Sequence, residues 1–225
     1  MSVKHEIVPY KIFNEKLGRV KTQEEMNIVI SSVAGGIGMM VTEYLIKMGF
    51  KKVYGIAGSD EKCKVAVQQG CLNALNYKKY YTNGAIRAKD FETDIRKMLG
   101  GEECDVYYEN VGEDMLNSML NIMALHSKIV MCGATPTDNN WGQKSGITNY
   151  QNIITKRIEI KGILYYDTTK DEKVQAFMEM IGLDPKGMDA LIKTKIDHMP
   201  ETYRDYMAGK FIGKPIVQIC DELDP

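Results

Sequence analysis

The sequence predicts an α/β fold in which a doubly wound parallel sheet carries helices on both faces. Three observations lead there. The β-branched run Asn27-Ile28-Val29-Ile30-Ser31 meets the glycine-rich turn Ser32-Val33-Ala34-Gly35-Gly36-Ile37-Gly38, and a helical pattern follows at once. Short apolar runs then alternate with helical patterns down the chain, as parallel strands joined by crossover helices require. At 44% hydrophobic and 26% charged residues, the 225-residue chain has the composition of a globular protein with a real core.

Taken in order, Ile28–Ser31 reads as a buried strand and Met39–Met48 as a helix closed by Gly49. Lys52–Ala57 reads as the second strand. Ser59 is a natural helix N-cap, with Asp60 and Glu61 in the first turn where negative charge suits the helix dipole, and that helix runs to about Gly70. Ala74–Asn76 is a short third strand, Lys78–Lys89 a polar, Tyr-rich exposed loop, and Phe91–Leu99 a helix stopped by Gly100-Gly101. Cys104–Tyr108 is the fourth strand, Asp114–Ala124 a helix, Lys128–Cys132 the fifth strand and Ile158–Tyr166 the sixth, with Thr135–Gly146 a loop. Beyond Asp184-Pro185 the strands Ile192–Ile196 and Pro215–Ile219 flank a helix, Glu201–Ala208. The residues before Asn27 read as a lead-in helix with a mobile start, and the connections are expected to be right-handed.

Several function classes are excluded at this level. The formal net charge of −1 supplies no electrostatic footprint for nucleic acid or an anionic membrane. No apolar run is long enough to span a bilayer and no secretory leader is read at the start. Cys63, Cys71, Cys104, Cys132 and Cys220 are odd in number and never form C-x-x-C, so neither a disulfide framework nor a zinc site is expected and a cytoplasmic setting is the simplest reading. His5, His126 and His198 are not spaced for metal ligation, and His126 reads as a turn residue. The 15 methionines read as core filler.

The glycine turn carries the chemistry. Val33-x-Gly35-x-x-Gly38 occupies the three glycine positions of the dinucleotide fingerprint, with Val at the first, and it lies between a strand and a helix as the fingerprint demands. Free amides of Ala34, Gly35, Gly36, Ile37 and Gly38 would bind a pyrophosphate. The tip of the second strand, Gly55-Ile56-Ala57-Gly58-Ser59, lacks the acid that would hold NAD ribose hydroxyls, whereas Lys62 stands in the first helical turn, where a cation is poorly placed against the dipole. A 2′-phosphate explains it, so the expected cofactor is NADP(H).

These stretches, with Asn76-Tyr77-Lys78, Asp105-Val106-Tyr107-Tyr108-Glu109-Asn110-Val111-Gly112, Ile129-Val130-Met131-Cys132-Gly133 and Gly213-Lys214-Pro215-Ile216-Val217, resemble the zinc-independent medium-chain dehydrogenase/reductases. Within them the chain is most similar to prostaglandin reductases and 2-alkenal reductases of the leukotriene B4 12-hydroxydehydrogenase-like type. The resemblance implies a Rossmann-type domain over 27–192, with 193–225 a small C-terminal remnant of a catalytic domain whose N-terminal part is absent. It implies that Lys62 and Tyr77 contact the 2′-phosphate, with Gly58 and Ser59 also cofactor-binding, and that Asn110, Cys132 and Gly133 lie at the nicotinamide end. It also implies NADPH-dependent reduction of an enone, meaning a carbon–carbon double bond conjugated to a ketone or aldehyde, and a homodimer through the sixth strand.

This sequence departs from the family pattern at two places. Asp138-Asn139 stands where a Tyr-Asn pair faces the substrate carbonyl, and Phe211 stands where an Asn precedes the closing Gly213-Lys214. Tyr166, placed at the end of the sixth strand, is the candidate hydroxyl donor to the developing enolate. Two other readings stay open: a non-catalytic NADP(H)-binding sensor or interaction module, and a quinone oxidoreductase. The chain is also compatible with a truncated product of a longer gene.

Overall fold

The computed structural model describes residues 3–82, 85–133, 146–181 and 192–219. Its centre is a six-stranded, wholly parallel sheet. In chain order the elements are β1 (Asn27–Ser31), α1 (Gly36–Lys47), β2 (Lys52–Ala57), α2 (Asp60–Gln68), β3 (Asn73–Asn76), α3 (Ala88–Met98), β4 (Cys104–Glu109), α4 (Glu113–Ile122), β5 (Met123–Met131), α5 (Gln151–Thr155), β6 (Glu159–Gly162), α6 (Lys170–Ile181), β7 (Ile192–Lys195), α7 (Met199–Met207) and β8 (Pro215–Gln218). The strands lie in the order β6-β5-β4-β1-β2-β3. The order reverses between β4 and β1, and ligands of open α/β sheets bind at the strand ends beside such a switch point.

All five residues of β1 are buried, which is why they read as an unbroken apolar run rather than an alternating one. Their side chains supply both faces of the core. Ile28 and Ile30 pack with Val41, Leu45, Val53, Val106 and Val130 on one side. Val29 packs with Tyr54, Ile56, Phe91, Ile95, Tyr107, Met115, Met119 and Ile129 on the other.

The lead-in expected to be mobile at its start is anchored instead. Val3–Ile7 forms a helical turn, and Ile7 and Ile12 are buried in the core. The Tyr10 hydroxyl donates to the His126 carbonyl, and Glu6 pairs with the buried Lys128. At the opposite end of β1 from the glycine turn, Lys21 (side chain 9% exposed) pairs at 2.7 Å with Asp105 (1% exposed), and the same carboxylate oxygen accepts the Asn27 amide at 2.8 Å.

Four other readings are corrected. Helix α4 stops at Ile122, and β5 begins at Met123 opposite Cys104. His126 is therefore inside a strand, in left-handed conformation (φ 58°), where the register slips, so the helical and turn signals there mark an irregular strand start. The sixth strand is only Glu159–Gly162, because it is an edge strand pairing along Lys128–Met131 and its ladder ends where β5 ends. Residues 165–167 form a separate tight turn. The Lys78–Lys89 stretch is partly ordered: the short strands Tyr81–Thr82 and Ala85–Ile86 pair antiparallel, and Tyr80 packs edge-on against Phe91 while its hydroxyl donates to Asp94. Methionine serves both roles, since Met39, Met115, Met119 and Met123 are buried and Met40, Met178 and Met207 exposed. Residues 134–145, with Asp138-Asn139 and Pro136, lie outside the described residues, as do Cys220 and Asp184-Pro185. Among the described residues no helix is long and apolar enough to cross a membrane.

Replacing Lys21 by Met should leave the buried Asp105 carboxylate without its counter-ion and lower the unfolding free energy by about 3 kcal/mol, read by urea denaturation. An unchanged midpoint would show that the pair contributes nothing.

Candidate functional site

The site is built at the C-terminal ends of β1, β2, β4 and β5. As β1 ends, Ser32 takes a left-handed conformation (φ 52°) and the chain turns into α1. The Gly35 amide donates to the Ser32 carbonyl at 2.9 Å, and Gly35 is the N-cap. Having no side chain, Gly35 cannot cap the first-turn amides, which leaves them as donors for an anion. Close approach explains Gly38: a Cβ there would stand 2.4 Å from the Ser32 carbonyl oxygen and 2.7 Å from Val33 Cα, both backbone. Val33 fits at the first fingerprint position because Gly55 of β2 faces it, where a Cβ would lie 2.6 Å from Val33 Cγ1. Gly55 was legible as a strand glycine, but its role needed the register that pairs β1 with β2.

At the tip of β2 the extended Ser59 accepts the Lys62 amide at 3.2 Å, which is the N-cap bond expected of it. Gly58 lies against the Tyr77 ring (3.4 Å from its ideal Cβ) and Lys78 Cε (3.3 Å). The fold thus brings Gly58, Ser59, Lys62 and Tyr77 together as expected and adds Lys78. Sequence reasoning had passed over Lys78, although the Asn76 side chain that caps its amide marks the turn. The Lys62 ammonium donates to the Gly209 carbonyl. Burial, and then the charge of Lys78, push its pKa below the usual lysine value. The neighbouring acid Asp60 is engaged by Lys79 and Asn76.

The third group lies where β4 ends. The Asn110 amide donates to Ser31 Oγ at 2.8 Å, and Asn110 Nδ2 donates to the Ser31 carbonyl at 2.8 Å. The amides of Cys132 and Gly133 donate to the Glu109 carbonyl at 2.8 and 3.2 Å. An ideal Cβ on Gly133 would stand 3.1 Å from the Asn110 carbonyl. Asn110, Cys132 and Gly133 therefore share one end of the sheet. Sequence reasoning missed Glu109, whose fully buried side chain takes the Gly112 amide at 2.8 Å, Ser31 Oγ at 3.1 Å and the Val111 amide. Burial raises its pKa above the ordinary 4.5, the hydrogen bonds opposing this.

Tyr166 does not join this group. It lies beyond the end of β6 in the turn Tyr165–Asp167, 81% exposed and stacked edge-on with Tyr165. A hydroxyl in bulk water is not a preorganised donor. The C-terminal segment, by contrast, comes close: the Gly213 amide donates to the Ala34 carbonyl at 2.8 Å, and an ideal Cβ on Gly36 would meet Lys214 Cβ at 3.4 Å. This contact uses a carbonyl of the turn. A parallel bridge between Gly35 and Gly213 lays the C-terminal segment alongside the turn. Among the described residues no group of three or more His, Cys, Asp or Glu stands close enough to hold a metal ion.

Comparison with known proteins agrees with this geometry. The family described as zinc-binding dehydrogenase matches residues 36–183. A zinc-type alcohol dehydrogenase-like protein of Schizosaccharomyces pombe is 31% identical over 92% of this chain and 56% of its own length. The NADP(+)-dependent 2-alkenal reductase of Nicotiana tabacum is 29% identical over 87% of this chain and 54% of its own. Prostaglandin reductase 1 of Bos taurus is 26% identical over 85% and 56%. Among solved structures, CurA of Vibrio vulnificus in complex with NADPH superposes with a TM-score of 0.72 at 21% identity, covering 89% of this chain and 59% of that one, which shows the shared fold. The chain spans a little over half the length of the curated relatives it matches.

Two outcomes follow from the geometry. Gly38→Ala should force the start of α1 off the exit of β1, costing about 1–3 kcal/mol as overpacking does and weakening any anion bound at the turn, read by thermal melting with and without pyrophosphate. Because Glu109 holds a proton more tightly folded than unfolded, its contribution is fully present below the ordinary carboxylate pKa and is lost as pH rises through the raised value. Melting temperatures should therefore shift in favour of Glu109→Gln, relative to the unsubstituted chain, as the pH is raised above the ordinary carboxylate value of 4.5.

Proposed function

Because this chain belongs to the zinc-binding dehydrogenase family, we propose that it binds NADP(H) across the ends of β1, β2, β4 and β5 and serves the NADPH-dependent reduction of a double bond conjugated to a ketone or aldehyde. One observation carries the cofactor reading: the start of α1, whose N-cap Gly35 offers no side-chain cap to the Ile37 and Gly38 amides, lies beside a β2 tip that has no acid and that gathers Lys62, Tyr77 and Lys78. The residues present fit the group. The close packing around Gly38 keeps backbone donors in reach of the diphosphate. The lysines offer the charge a 2′-phosphate requires. Asn110, Cys132 and Gly133 flank the nicotinamide end. When bound, NADPH supplies a hydride; the protein's part is to orient the reactants and to donate hydrogen bonds to the carbonyl oxygen as charge builds there.

The reductase reading is supported by the NADP(+)-dependent 2-alkenal reductase and prostaglandin reductase 1 among the relatives. The division at residues 192–193 belongs to the same proposal, with β7 and β8 forming, among the described residues, a two-stranded sheet separate from the six-stranded one. A homodimer formed through the exposed edge of β6 belongs to it too. A second reading, cofactor binding without turnover, is favoured by one observation, the solvent-exposed position of Tyr166.

Fluorescence titration with NADPH and NADH, followed by NADPH oxidation with an enone, separates these readings. Lys62→Ala should weaken NADPH roughly tenfold, about 1.4 kcal/mol, and leave NADH unchanged. A wild-type preference for NADH would overturn the roles of Lys62 and Tyr77. Binding without oxidation would favour the sensor reading. A monomeric mass at micromolar concentration would overturn the dimer.

A further inference from the structure

We propose that Glu109 is a positioning residue of the cofactor site, tying the tips of β1, β4 and β5 into one platform so that Asn110 and Gly133 are held to receive the nicotinamide half. The inference rests on the NADP(H) reading and names a residue which that reading does not use.

Two arms of Glu109 make the platform. Its main-chain carbonyl receives the Cys132 and Gly133 amides, which fastens the end of β5 to the end of β4. Its side-chain Oε1 receives the Gly112 and Val111 amides and Ser31 Oγ, which closes the turn leaving β4 and reaches across to β1. Ser31 completes the circuit, since its Oγ accepts the Asn110 amide and its carbonyl accepts Asn110 Nδ2. Three neighbouring strands are thus joined through one residue at the end of the sheet where the order reverses.

The interior of β1 is filled by Ile28, Val29 and Ile30, and a fully buried carboxyl is costly unless its hydrogen bonds are needed. The turn needs them. Gly112 (φ 87°) and Glu113 (φ 51°) are both left-handed, and this path points the Val111 and Gly112 amides inward, where an acceptor must meet them. The remaining oxygen, Oε2, and the Tyr107 hydroxyl are both shut away from water and interact electrostatically, though neither makes a hydrogen bond of ordinary geometry. Glutamine has the length of glutamate and keeps a side-chain carbonyl oxygen. Its oxygen can take the same three donors and its amide can face Tyr107. Methionine has similar length and no comparable acceptor.

The test uses the whole chain and two ligands. NADPH reaches both ends of the site, whereas adenosine 2′,5′-bisphosphate carries only the adenosine and its phosphates. Glu109→Met should weaken NADPH about tenfold or more through misplacement of the nicotinamide end, while the bisphosphate stays within about twofold. Glu109→Gln should restore NADPH to within about twofold of the unsubstituted chain. Equal losses for both ligands, no loss for either, or failure of the glutamine variant to restore binding would overturn the proposal. Should Glu109→Met not fold, Ser31→Ala carries the test: selective weakening of NADPH supports the platform, and anything else overturns it. An unsubstituted chain that binds neither ligand would overturn the cofactor reading itself, a result distinct from the others.

Discussion

The contact between the exit of β1 and the first turn of α1 governs this molecule. The Gly38 backbone sits so near the Ser32 carbonyl and Val33 that only hydrogen fits between them. That closeness sets where α1 starts, and so where its uncapped amides point. It also sets what may stand opposite, because Val33 occupies space that Gly55 leaves open on β2. One steric constraint therefore orders the turn, the helix and the neighbouring strand together.

The rest of the site is arranged around that junction by the parallel sheet. Strands pointing the same way bring their C-terminal ends to one edge, so residues far apart in sequence become neighbours. At the β2 tip this collects cations and a tyrosine. At the β4 and β5 tips it collects amides, an asparagine and one buried carboxyl. The two ends differ chemically, cationic at one and hydrogen-bonding at the other. At the far end of β1, the Lys21–Asp105 pair and the Asn27 amide hold the sheet from below.

Much of the fold was legible because its signals are local. The fingerprint, the Ser59 cap and the strand Lys52–Ala57 are each specified by residues within a few positions of one another, and each stands in the structure as read. Misreadings arose where a distant partner decides. Met123 carries helical character by sequence but pairs with Cys104, and the apolar run after Gly162 leaves the sheet because β5 has ended. The lead-in, polar enough to read as mobile, buries Ile7 and Ile12 in the core and is held at Tyr10 and Glu6 by His126 and Lys128, more than a hundred positions away.

From its order of residues alone this chain established a parallel α/β sheet, a glycine turn between strand and helix and a lysine near a strand tip that lacks an acid, because periodicity, capping and small residues act over a single turn of backbone. Tertiary structure alone decided that Lys78 joins Lys62, that Tyr166 faces solvent and that Glu109 binds three strands at once. Those outcomes depend on register and on which strand lies beside which, and such long-range pairing leaves no mark in the neighbouring sequence.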